Sequence, residues 1–83
     1  MSNELKEYVE SLMNPRIDVL FLRARIIEKG YTYGTFCEKI GFSRSRWYSR
    51  IRQETAFTAN EVLRISEALG LSKSDINRIF FGR

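Results

Sequence analysis

The apolar positions of this chain fall into short stretches that recur every three or four residues. Between residues 3 and 13, Leu5, Tyr8, Val9 and Leu12 stand at i, i+3, i+4 and i+7, one side of an amphipathic helix. Asn14-Pro15 closes that stretch and opens the next, because proline is tolerated in a first helical turn. A second helix is predicted from about Arg16 or Asp18 to Lys29, with Gly30 as its stop. Val19, Leu20, Phe21, Leu22, Ile26 and Ile27 make it apolar nearly all round, which calls for burial on more than one side. One side would face the main core and the other the N-terminal stretch.

The next stretch, Tyr31 to Arg52, reads as two short helices joined by a tight turn. Thr32 is a good N-cap. Tyr31 and Phe36 have the spacing of a hydrophobic staple, and Phe36 with Ile40 marks the buried side. Gly41 supplies a left-handed helix end, Ser43 caps the following helix, and Phe42 with Trp47 repeats the staple. On the second helix, about Arg44 to Arg52, a rotation of ~100° per residue separates two faces. Trp47 and Ile51 point inward, with Ser43 near the edge of that side. Ser45, Tyr48, Ser49 and Arg52 point away, Arg46 and Arg50 flank them, and Arg44 stands in the first turn.

After a loop from Gln53 to Phe57, Thr58 with Glu61 and Ser72 with Asp75 each form a capping-box pattern. Phe57 with Val62 and Leu71 with Ile76 supply two further staples. Val62, Leu63, Ile65, Ser66 and Leu69 carry one helix to Gly70, and the last ends in Ile79, Phe80, Phe81 and Gly82. Phe80 and Phe81 are expected to close onto the first helices, with a dimer interface as the alternative. The predicted fold class is all-α. Its organisation is an N-terminal amphipathic helical extension (residues 1–15) followed by a domain over residues 16–83. The extension either packs on the side of the domain or serves as a dimer contact or arm.

A length of 83 residues permits one small core. The net charge is +4, but its distribution changes the picture more than its size. In residues 1–15 Lys6 stands against Glu4, Glu7 and Glu10. From residue 39 to 53, Lys39, Arg44, Arg46, Arg50 and Arg52 occur with no acid between them. Such a stripe beside an apolar face is the electrostatic footprint of a nucleic-acid surface. Arg23 and Arg25 are read as solubility charges in preference to phosphate contacts.

Other chemistries find little to use. There is no histidine, and the single cysteine, Cys37, excludes an intrachain disulfide and is expected to pack as a small hydrophobe. No glycine-rich phosphate loop occurs, and no hydroxyl has a general base beside it, so no enzymatic activity, metal, cofactor or small-molecule ligand is expected. No apolar run approaches the ~18 residues of a membrane span, and the acidic start lacks a signal peptide's basic region. Together with the lone cysteine, these features point to a cytoplasmic protein.

Taken together, the central stretch resembles the helix-turn-helix of the Cro and phage-repressor (XRE-type) superfamily. The matching residues are Thr32 at the first cap, Phe36-Cys37 where the family prefers Leu-Ala, Ile40-Gly41-Phe42-Ser43 at the turn, and Trp47 and Ile51 on the second helix. The likeness continues through TANEVLRISEALGLSKSDINRIFF and covers roughly residues 18 to 81. Two positions depart from the pattern: Tyr33 stands where glutamine is usual, and Gln53 near the usual glycine.

The resemblance implies a compact five-helix domain acting as a sequence-specific transcriptional regulator, a phage-type Cro or repressor. A homodimer would bind a pseudo-palindromic operator in double-stranded DNA, with the second helix of the motif in the major groove. Arg44, Ser45 and Ser49, followed by Tyr48 and Arg46, would meet base edges, since guanidinium and hydroxyl groups hydrogen-bond there. Thr32, Tyr33, Ser43, Arg50 and Arg52 would hold phosphates, helped by two helix N-termini. A competing reading makes the chain a protein-interaction adaptor, anti-repressor or antitoxin-like, that uses the fold without reading DNA.

Overall fold

The computed structural model describes residues 17–81 and contains five helices and no strand among them. They are α1 (Val19–Glu28), α2 (Tyr33–Ile40), α3 (Arg44–Ile51), α4 (Ala59–Leu69) and α5 (Lys73–Phe80). The helix expected over residues 3–13, and the side of α1 assigned to it, involve residues outside that range.

Each helix begins where a side-chain oxygen answers an otherwise unpaired amide. Asp18, Thr32, Ser43, Thr58 and Ser72 accept from the backbone N–H three residues on. Thr58–Glu61 and Ser72–Asp75 form the reciprocal boxes that their spacing predicts. A third box, Thr32–Thr35, uses a threonine hydroxyl where glutamate or glutamine is the usual partner. The helix ends are equally local. After α1, α2, α3 and α4 the chain turns through one residue of positive φ, whose own amide and the one after it reach back into the last turn. Three of those residues are glycines. The fourth is Gln53 at φ 61°, whose N–H donates to the Arg50 carbonyl at 3.0 Å while Glu54 N–H donates to that of Ser49 at 3.0 Å.

The core forms where the buried faces meet. Leu22 and Ile26 come from α1, Phe36, Cys37 and Ile40 from α2, Phe42 from the turn and Trp47 from α3. Ile65 and Leu69 of α4 and Ile79 and Phe80 of α5 complete it. Helix α2 packs on α3 and α4, and α5 on α1 and α4. The Asp18 N–H donates to the Ile79 carbonyl at 2.8 Å and ties the start of α1 to α5. Arg64 of α4 donates to the Ile40 carbonyl at 3.1 Å and ties α4 to the end of α2.

Several apolar residues lie outside the core formed by the described residues. Leu20, 80% exposed, and Ile27, 58% exposed, are uncovered on α1 among those residues, and Leu63 and Phe81 are also exposed. Phe80 is the last residue of α5 and is buried; Phe81, one step past the helix, turns outward. Periodicity marks a residue as apolar but cannot say how many sides of a short helix find a neighbour.

Candidate nucleic-acid interface

Three residues, Gly41 to Ser43, separate α2 from α3, and the turn is held by its aromatic side chain. Phe42 N–H donates to the Cys37 carbonyl at 2.9 Å, and the Phe42 ring meets that of Trp47 at 6.0 Å. Trp47 is fully buried and lies edge-on to four rings, adding Tyr33 at 5.6 Å, Phe36 at 5.7 Å and Phe57 at 5.9 Å. Edge-to-face contacts of this kind add about 0.5–1.5 kcal/mol each to the area buried. Ile51, one turn on, is half-buried against the same core. With Trp47 driven inward, the rotation of α3 is decided, and its polar residues have only the outside to face.

The N-terminal half of α3 is correspondingly open. Arg44, Ser45 and Arg46 are exposed, as is Tyr48 at 41%. The Tyr48 ring is steadied edge-on by Tyr33 at 6.1 Å, and Arg23 of α1 stands 5.7 Å from the Tyr33 centroid. Arg44 lies across the first turn of α2. A Cβ built on Gly34 would meet its Nη2 at 2.9 Å, so the absence of a side chain there makes room for the guanidinium. Arg46 rests 5.7 Å from the Phe42 centroid. All four side chains are exposed around the N-terminal half of α3.

The C-terminal half is arranged differently. Arg50, assigned above to a phosphate, is turned inward: its Nε and Nη2 donate to the two Glu61 oxygens at 2.9 and 3.1 Å. Its Nη1 donates to Thr55, whose hydroxyl also meets that of Ser49 at 3.0 Å. Side-chain exposure is 15% for Arg50 and 9% for Glu61, which removes this guanidinium from the free cations of the stripe. In this structure Arg50 is therefore held by Glu61 and is not free for the phosphate assigned to it. The physical reason is that a carboxylate with two acceptor oxygens matches the guanidinium fork and stands close by on α4. Ser49 is half-buried and tied to the same loop through Thr55. Arg52 pairs with Glu54 at 3.1 Å, but both side chains are more than half exposed, so the pair is weak and easily exchanged.

Burial alone would raise the Glu61 carboxyl. Hydrogen bonds from Arg50 and from the Thr58 amide, with the attraction of Arg50 and Arg46, bring it below its ordinary value instead. The hydrogen bond to Glu61 in turn raises Arg50 above the usual arginine value, against desolvation.

At the start of α2, the Thr32 hydroxyl accepts from Thr35 N–H at 3.1 Å, and Thr32 N–H donates to the Thr35 hydroxyl at 2.8 Å. Ser43 accepts from Arg46 N–H at 3.2 Å. Both caps are exposed but already occupied, so the first-turn amides of α2 and α3 are the donors left pointing outward. Tyr33 is half-buried, and burial raises its phenol despite Arg23 nearby.

No family model, no curated protein and no solved structure matches this chain. Any functional reading therefore stands on its own residues. No group of three or more potential metal ligands occurs among the described residues, and no described helix is long and apolar enough to cross a membrane. Cys37 is buried and its thiol raised by desolvation, opposed by Arg44, which suits a packed side chain. Sequence reasoning placed Glu61 in the Thr58 capping box but missed that it and Thr55 hold Arg50. Arg50 and Glu61 are eleven residues apart across a loop, and no helical spacing rule pairs them.

Proposed function

We propose that the chain is a sequence-specific DNA-binding regulator of the Cro and phage-repressor helix-turn-helix type, with α2 and α3 as the motif. The observation that supports this most is the division of α3: Trp47 is wholly buried, while Arg44, Ser45, Arg46 and Tyr48 are all exposed. In this reading α3 lies in the major groove with its N-terminal half nearest the bases. Arg44 and Ser45 meet base edges, with Arg46 and Tyr48 beside them. The outward amides at the starts of α2 and α3, with Tyr33, Ser43 and Arg52, hold phosphates on either side.

One such helix spans only a few base pairs. A homodimer on half-sites about one helical turn apart follows from that reach, and repression would come from occupying a promoter. Selection of binding sites from random duplex tests the reading directly. A recovered pair of related half-sites spaced near 10 base pairs supports it. Recovery of no sequence, with tight binding seen only when another protein is added, would replace it with the adaptor.

A further inference from the structure

We infer that Glu61 is a positioning residue for DNA recognition: by holding Arg50 against α4 it keeps one cation off the exposed surface of α3 and so limits sequence-independent attraction to phosphate. The inference rests on the DNA-binding reading above.

Arg46 and Arg50 stand four residues apart, in one row along the flank of α3. Arg46 is exposed, and an unrestrained Arg50 would extend its guanidinium into the same row. It is prevented from doing so by bonds at both ends of its fork, to Glu61 and to Thr55. The carboxylate cannot follow the guanidinium outward. Glu61 Oε1 also accepts the Thr58 N–H at 2.9 Å, and Glu61 N–H donates to the Thr58 hydroxyl at 3.2 Å, so helix α4 fixes it through its own cap.

Binding to random duplex depends on how many phosphates are neutralised, and each one steepens the salt dependence by about 0.9 in log–log slope. A cation withheld from phosphate lowers affinity for every sequence alike and leaves base-edge contacts untouched. The ratio of operator to random affinity is then unchanged, and what falls is the absolute hold on random duplex. Glu61 touches no nucleic acid in this scheme; it acts through Arg50.

The test measures affinity for random duplex and for a selected site between 50 and 200 mM salt, alongside circular dichroism melts. Glu61→Ala should steepen the slope by about 0.9, widening the affinity gap across that salt range roughly three- to fourfold on both duplexes. The double variant Arg50→Gln/Glu61→Gln, which leaves net charge unchanged and can keep a hydrogen bond, should retain the wild-type slope. A merely structural brace would move the melts of both variants and neither slope. A double variant shallower by about 0.9 would show that Arg50 meets phosphate in the native protein, and would overturn the inference while sparing the DNA-binding reading. An unchanged slope in folded Glu61→Ala would do the same. If Glu61→Ala does not fold, the double variant decides alone. Wild-type protein that binds neither duplex at 50 mM salt would overturn both.

Discussion

The two halves of α3 have similar side chains and opposite circumstances. In the first, Arg44 and Arg46 reach solvent with no carboxylate paired to them among the described residues. In the second, Arg50 is clasped by Glu61, Ser49 is joined to Thr55, and Arg52 leans on Glu54. Counted along the chain, the arginines form a single stripe; in space they form an open patch and a fastening. A cation's position on a helix wheel therefore says which way it starts out. What it finally meets depends on the element that packs beside it.

The contrast breaks most sharply on stability. Arg50→Ala leaves the Glu61 carboxylate poorly solvated and without its partner, and should cost about 3 kcal/mol in urea unfolding, the low end for a buried pair because some exposure remains. Arg44→Ala should change the same midpoint by no more than about 0.5 kcal/mol. Equal losses from both substitutions would erase the distinction.

Acid should act on the second half alone. The Glu61 carboxyl is lower in the folded chain than its ordinary value of 4.5, so its contribution is present above that value and is lost as pH falls through the folded one. Urea midpoints followed from pH 7 down to 3 should decline on the acid side. The Arg50→Gln/Glu61→Gln variant should show a shallower decline.

On DNA the order reverses. Arg44→Ala should cost roughly 1–3 kcal/mol on a selected site and relax preference at one base pair, read by competition titration against single-base variants. Arg50→Ala, if its fold survives, should leave preference at each position intact. The smallest expected effect concerns the turn that follows the fastening. Gln53→Gly relieves a side chain in the left-handed region and should raise stability by about 0.5–1 kcal/mol, measured by thermal melting. No gain would mean that the Gln53 side chain contributes something the backbone geometry does not reveal.

Much of the fold was legible because the signals that end and begin helices are short. Thr32, Ser43, Thr58 and Ser72 each answer an amide three residues away, and Tyr31–Phe36 and Phe42–Trp47 close across one turn, with ring centroids at 5.5 and 6.0 Å. The inward direction of Trp47 was readable for the same reason. Partnerships that depend on how helices stack were not. The Arg50–Glu61 pair joins α3 to α4 over a turn whose course hangs on Gln53, and Arg44 finds its place through the bare backbone of Gly34 on another helix. Leu20 and Ile27 show the limit from the apolar side: the pattern calls for burial of α1 on more than one side, and among the described residues these two stay uncovered, the stretch expected to meet the other side lying outside them.

Trp47 is the only tryptophan in the chain, and it sits dry at the centre of a ring of aromatics that includes Tyr33 and Phe57. The protein thus contains its own optical gauge of whether α3 is seated. Excited at the indole band, the native chain should emit at short wavelength, and any loosening of that helix should move the emission to the red before the bulk of the ellipticity is lost. Every variant above can be checked this way at micromolar concentration, without a label.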